Sequence, residues 1–108
     1  MSESEADDAL PQRLRTPVWR MLGFTRSVPG TLELSRQRLR YYEQGRCMFD
    51  RPLDEIVKVR MPWYWFGGGI RFRAGTMRYR FSFVEPQRAD HVAEGRRNGA
   101  LWKRVLMR

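Results

Sequence analysis

From Thr31 onward the apolar positions of this chain recur every second residue, and near the C-terminus the spacing changes to three and four. Thr31 to Ser35 sets Leu32 and Leu34 on one face, and Arg38 to Tyr42 sets Leu39 and Tyr41 on one face, with Ser35-Arg36-Gln37-Arg38 as the connection. Placing Leu34 opposite Leu39 brings Leu32 against Tyr41 inside and Glu33 against Arg40 outside, a favourable cross-strand pair. Glu43-Gln44-Gly45 then turns into a third strand, Arg46 to Phe49, which Asp50-Arg51-Pro52-Leu53 breaks. Glu55 to Met61 reads as a strand with Val57, Val59 and Met61 alternating against Lys58 and Arg60. After Gly67 to Gly69 comes the clearest hairpin, Ile70 to Ala74 and Met77 to Val84. Its two-residue loop, Gly75-Thr76, fits a type II′ turn and pairs 74 with 77, 72 with 79 and 70 with 81. That register gives Ile70, Phe72, Ala74, Met77, Tyr79, Phe81 and Phe83 a shared inner face.

Pro86 ends the sheet, and from about Gln87 the positions Val92, Gly95, Gly99, Trp102 and Leu106 form a helical stripe that Leu101 and Val105 widen. Its two glycines weaken the helix by roughly 1 kcal/mol each relative to alanine, but they let it lie close to a sheet. Two segments upstream read as punctuation. Thr16-Pro17, then Val18, Trp19, Met21 and Leu22, then Gly23, has the form of a capped short helix, with a first strand over the same residues as the alternative. Val28-Pro29-Gly30 reads as a turn. The expected fold is mainly β with one C-terminal α-helix: a rolled antiparallel sheet, or partly open barrel, of six or seven strands.

Gly30-Thr31-Leu32-Glu33-Leu34, Arg38-Leu39-Arg40-Tyr41, Pro52-Leu53-Asp54-Glu55-Ile56 and Tyr79-Arg80-Phe81-Ser82-Phe83 follow one another in a rhythm of apolar positions. This rhythm resembles the GRAM branch of the pleckstrin-homology-like (PH-like) superfold. The resemblance covers residues 30 to about 107 and is a pattern of apolar positions, so it speaks to fold before function. It implies a binding module, often for phosphoinositides, other anionic lipids or proteins, with the family's helix tryptophan at Trp102 closing one end of the barrel.

A chain of 108 residues has room for one core, which the pattern assigns to residues 10–108, leaving 1–9 as a disordered acidic tail. One cysteine, Cys47, cannot form an internal disulfide, and no stretch approaches the roughly 20 apolar residues of a spanning helix. The expected location is cytoplasmic, with a peripheral position at the inner membrane surface open. The charge changes the picture more. Lys and Arg number 21 against 12 Asp and Glu, a net +9. Glu3, Glu5, Asp7 and Asp8 lie in the tail, so the remainder carries 21 cations against 8 acids, or +13. All the cations but Lys58 and Lys103 are arginine, whose planar fork suits phosphate and carboxylate. A GC-rich genome would account for the arginine-to-lysine ratio but not for the net charge.

Catalytic constellations are not found, and the expectation is a non-enzymatic protein needing no cofactor and no metal. His91 reads as a surface residue, Cys47 as a buried inert thiol, and Gly67-Gly68-Gly69 as a flexible loop lacking the frame of a phosphate loop. The arginines are different. The hairpin that sends the apolar residues inward forces Arg71, Arg73, Arg78 and Arg80 outward, with Arg73 opposite Arg78 and Arg71 opposite Arg80. Lys58 and Arg60 join them if the preceding strand pairs alongside. Like charges directly opposite destabilise a sheet, so this face reads as an anion-binding site. A solvated face neutralised by bulk ions is the plainer account of the same residues.

Next to it in sequence, Trp63, Tyr64, Trp65 and Phe66 are four consecutive aromatics that need covering. They can fold back over the barrel, form a protein interface, or insert at a membrane surface. The leading expectation is a module that docks an anionic lipid or membrane surface through the basic hairpin face. A protein partner or homodimer meeting the aromatic loop is the first alternative. Nucleic acid is the second, weakened because Tyr79, Phe81 and Phe83 face the core in this register and so cannot stack on bases.

Overall fold

The structure, a computed structural model, describes residues 13–23, 26–61, 68–86 and 89–107. Within them lie β1 (Arg13–Leu22), β2 (Arg26–Ser35), β3 (Arg38–Glu43), β4 (Arg46–Pro52), β5 (Ile56–Arg60), β6 (Gly69–Ala74), β7 (Met77–Ser82) and the helix α1 (Val92–Leu106). Short 3-10 turns occupy Leu53–Glu55 and Ala89–His91. The strands form one antiparallel sheet in the order β4-β3-β2-β1-β7-β6-β5. It is not closed, because β4 and β5 remain edges. It is rolled, however: the ring of Phe49 on β4 stands 6.0 Å from Phe72 on β6 and 4.9 Å from Tyr79 on β7. The four-strand part β4-β3-β2-β1 thus folds over the three-strand part β7-β6-β5.

Between the two parts lie Val18, Leu32, Leu39, Tyr41, Ile70 and Phe81, all fully buried. Helix α1 sets Gly95, Gly99, Trp102 and Val105 against this core. A side chain at Gly95 would run into the Val84 side chain and come within 3.0 Å of the Phe83 carbonyl, so the glycine permits the close approach. Trp102 is fully buried, and its Nε1–H donates to Thr16 Oγ1 at 2.9 Å. A buried indole nitrogen is thereby satisfied at a place where no water reaches it. Val92 and Leu101, expected on the stripe, are instead exposed.

The two central hairpins have the expected registers. Leu34 stands opposite Leu39, Leu32 opposite Tyr41 and Glu33 opposite Arg40. Ala74 stands opposite Met77, Phe72 opposite Tyr79 and Ile70 opposite Phe81. Gly75, at φ +64°, supplies the left-handed residue that the tight turn requires. Met77 has the inward parity but is exposed, since it flanks the turn at the hairpin tip.

Elsewhere the structure corrects the sequence reading. Of the two alternatives for residues 16–22 the strand is the one found, not the capped helix: Thr16 and Val18 are buried while Arg15 and Pro17 are exposed. The ladder from β1 to β7 is limited to Trp19 and Arg20, so at Pro17 β1 is locally an edge, where proline is tolerated. For the same reason Val28-Pro29-Gly30 is strand and not turn, because the β3 ladder on that side begins only at Thr31. Gly30 serves packing. A Cβ there would meet the Tyr42 carbonyl at 2.6 Å and the Tyr41 phenol at 2.7 Å.

Strand β4 runs on through Asp50, Arg51 and Pro52, and the break comes at Leu53, whose N–H donates to the Gln37 carbonyl at 2.9 Å. A register shift between Tyr41 and Tyr42 brings Cys47 opposite Tyr42, so the thiol is exposed and not buried. A second irregularity lies at Lys58, which has φ +57°. It inverts the alternation of β5: Ile56 is buried and Val57 exposed, whereas Val59 packs against the core.

Candidate functional site

The bulge at Lys58 and the turn at Gly75 together decide what the outside of β5, β6 and β7 presents. Arg80 stands opposite Arg71, and Arg71 opposite Arg60, giving one row of three arginines across three adjacent strands. The next row is Arg78, Arg73 and Val57. Lys58, Arg60, Arg71, Arg73, Arg78 and Arg80 all line one open depression of about 710 Å³, with Arg20, Met21, Leu22, Phe72 and Tyr79. The six candidate anion-binding residues of the sequence are therefore brought together.

Among the described residues, no carboxylate forms an ion pair with any of these six. Arg80 Nη2 donates to the Gly23 carbonyl at 3.0 Å and Arg60 Nη1 to the Val59 carbonyl at 3.2 Å. These bonds go to neutral carbonyls, which add no counter-charge. Arg73 Nε is shut off from solvent with no hydrogen-bond acceptor among the described residues.

The other half of the same sheet treats arginine differently. Arg15, Glu33, Arg40 and Asp50 stand side by side across β1, β2, β3 and β4. Glu33 lies 3.7 Å from Arg15 and 3.6 Å from Arg40, and Asp50 lies 3.3 Å from Arg40 and 2.8 Å from Arg38. Arg38 and Arg40 hold the Asp50 carboxyl below its usual range. Cross-strand ladders of alternating sign are the stabilising arrangement and ladders of one sign the opposite. Both occur on one sheet.

Arg20 differs from the six. It lies on the inward side of β1 and forks onto Glu43, with Nε–Oε2 at 2.5 Å and Nη2–Oε1 at 3.1 Å. The Tyr41 hydroxyl donates to the same Glu43 Oε2. Burial works against charge on Glu43, but the bonds from Arg20 and Tyr41 outweigh it and hold its pKa below the ordinary value. Burial, and next the Glu43 carboxylate, raise the Tyr41 phenol well above its ordinary value. Burial likewise raises Tyr79, which makes it a neutral phenol in the depression. Sequence reading missed this triad, having placed Glu43 in a turn and left Arg20 open between a short helix and a first strand. The available signal was the period of two, continued from Val18 to Arg20 and from Tyr41 to Glu43.

Trp63, Tyr64, Trp65 and Phe66 lie outside the described residues, as do Gly67 and the acidic stretch 1–9. His91 is half-exposed beside Glu85 and Asp90. No group of three or more His, Cys, Asp or Glu among the described residues is placed to hold a metal, and no helix among them is long and apolar enough to cross a membrane. No protein-family model and no curated protein matches the chain.

Proposed function

We propose that this domain is a non-enzymatic docking module whose Arg60, Arg71, Arg73, Arg78, Arg80 and Lys58 face binds an acidic membrane surface. The observation that carries the reading is the contrast within one sheet, where an ion-paired ladder on β1 to β4 stands beside a cationic row on β5 to β7 that has no ion pair among the described residues. A sequence that breaks a local rule in one place and obeys it nearby points to a compensating partner. Basic residues near such a surface are worth about 1 kcal/mol each. Six give about 6 kcal/mol, on the order of tens of micromolar. The finer fold assignment belongs to the same proposal. A rolled sheet of four plus three strands followed by a helix with a buried tryptophan supports the PH-like, GRAM-like reading of residues 30 to 107.

Co-sedimentation with phosphatidylglycerol and with neutral vesicles at two salt concentrations tests the function. The protein should pellet with acidic vesicles at low salt, and charge reversal at Arg73 and Arg78 should abolish this. Tight binding to a labelled nucleic acid with no binding to acidic vesicles would replace the membrane by a nucleic acid. Indifference to both, together with a dimer in solution, would transfer the reading to self-association.

A further inference from the structure

We propose that the centre of the basic face is a discrete one-to-one site for a phosphomonoester dianion, held by Arg60, Arg71 and Arg80 with Arg73 in support. The inference rests on the docking reading above and narrows it to one chemical group. Neighbouring strands are about 4.8 Å apart, so the outer Cα atoms of the Arg60–Arg71–Arg80 row are separated by about 10 Å. Arginine side chains are long enough to converge over the middle member. Each guanidinium offers a fork of N–H donors with fixed geometry. A phosphomonoester presents three terminal oxygens and close to two charges at pH 7. A phosphodiester has two such oxygens and one charge, and a carboxylate is planar with one charge. Three forks in a row match three oxygens, and the accumulated positive charge calls for more than a single negative one.

Two further observations favour a site over a diffuse field. The cations line one depression, and its described lining residues include no carboxylate to repel the ligand. Arg73 Nε has no acceptor among the described residues, and leaving such a group unpaired is unfavourable. An oxyanion that draws the Arg73 side chain outward removes that penalty. Arg20 cannot serve, being already forked onto Glu43.

The test titrates the full chain calorimetrically with phenyl phosphate, diphenyl phosphate and benzoate, and compares phosphatidic acid with phosphatidylglycerol vesicles at matched charge. Phenyl phosphate should bind with a stoichiometry of one and about tenfold tighter than the other two. Its affinity should rise between pH 5 and pH 7.5 as its second proton leaves near pH 6. Arginine, lysine and tyrosine side chains keep one charge state across that range, so the ligand is what titrates. Arg71→Lys, which keeps the charge but loses the fork, should erase the preference for the monoester while retaining attraction to acidic vesicles. Preference for phosphatidic acid vesicles would make a lipid head group the source, and phenyl phosphate binding without vesicle preference would make it a free phosphate ester. Equal affinity for monoester and diester, a flat pH profile, or acidic-vesicle binding with no phenyl phosphate binding overturns the site and leaves the docking reading standing. No binding to phenyl phosphate or to any vesicle removes both.

Discussion

Arg71→Glu should stabilise the fold while abolishing the proposed affinity for anions. Position 71 lies between Arg80 and Arg60 in the register, so a carboxylate there recreates the alternation seen in Arg15, Glu33, Arg40 and Asp50. Cross-strand pairs of opposite charge contribute roughly 0.2–1 kcal/mol each, and like-charge pairs oppose folding by similar amounts. Two repulsions become two attractions, for a total of roughly 1–4 kcal/mol. Arg71 is exposed, and exposed pairs are screened towards the bottom of such ranges, so about 1 kcal/mol is the working figure. For a domain of this size that is a rise in Tm of roughly 4 °C or more.

Salt gives the sharper readout. In the parent, raising NaCl from about 20 mM to about 500 mM screens the repulsive row, so stability should increase. In Arg71→Glu the same salt weakens attractions, and stability should fall. Arg26→Glu, at an exposed residue outside the row, makes the same change in net charge and should leave the salt slope of the parent in place. Urea melts of the parent, Arg71→Glu, Arg71→Ala and Arg26→Glu at both salt concentrations measure all of this. An Arg71→Glu protein no more stable than Arg71→Ala, or with the salt slope of the parent, would show that the row carries no repulsion in the free protein. The charge contrast would then lose its meaning as a sign of function.

Further outcomes at four residues test the architecture. Trp102→Ala should cost roughly 3–5 kcal/mol, a large part of the stability of a domain this small, and Trp102→Phe should cost about 1 kcal/mol less in a Thr16→Val background than in the parent, because the indole–hydroxyl bond is already absent there. Gly30→Ala should destabilise by roughly 1–3 kcal/mol and disturb the near-ultraviolet signal of Tyr41, because the new methyl meets a carbonyl and a buried ring. The folded pKa of Glu43 is lowered, so its contribution is complete above the unfolded value near 4.5 and lost as pH falls through the folded value; Glu43→Gln should flatten the acid limb of stability. The folded pKa of Tyr41 is raised, so its contribution holds below the unfolded value of 10.0 and declines as pH rises past it; Tyr41→Phe should remove that alkaline loss.

How much of this was legible in the sequence depended on whether a local signal agreed with the sheet. The hairpins at Arg36-Gln37 and Gly75-Thr76 were readable with their registers, because turn length and a one-sided apolar pattern fix the pairing twice over. The outward arginines of β6 and β7 followed from that register with no further assumption. Strand β1 was not readable in the same way. Thr16-Pro17 and Gly23 imitate helix punctuation, and only the fully buried Trp102, 86 residues away, explains why Thr16 faces inward. Pro29 and Gly30 likewise imitate a turn, until the missing β3 ladder and the Tyr41 ring account for them. The bulge at Lys58 was invisible because a left-handed lysine leaves no compositional trace. It decides that Val57, and not Val59, faces out.

The arrangement of acids argues that the cationic face is not a by-product of a basic composition. Strands β5, β6 and β7 hold Lys58, Arg60, Arg71, Arg73, Arg78 and Arg80 and no aspartate or glutamate. Strands β1 to β4 hold Glu33, Glu43 and Asp50, and each is engaged by two neighbours: Glu33 by Arg15 and Arg40, Asp50 by Arg38 and Arg40, Glu43 by Arg20 and Tyr41. A net charge of +9 is indifferent to which strand carries its acids, and solubility would be served equally well by either distribution. Stability is not indifferent, since one acid moved from the paired half to position 71 would relieve two repulsions. A half-sheet left in the less stable arrangement, beside one that shows the remedy, is what the proposed docking to an anionic partner accounts for.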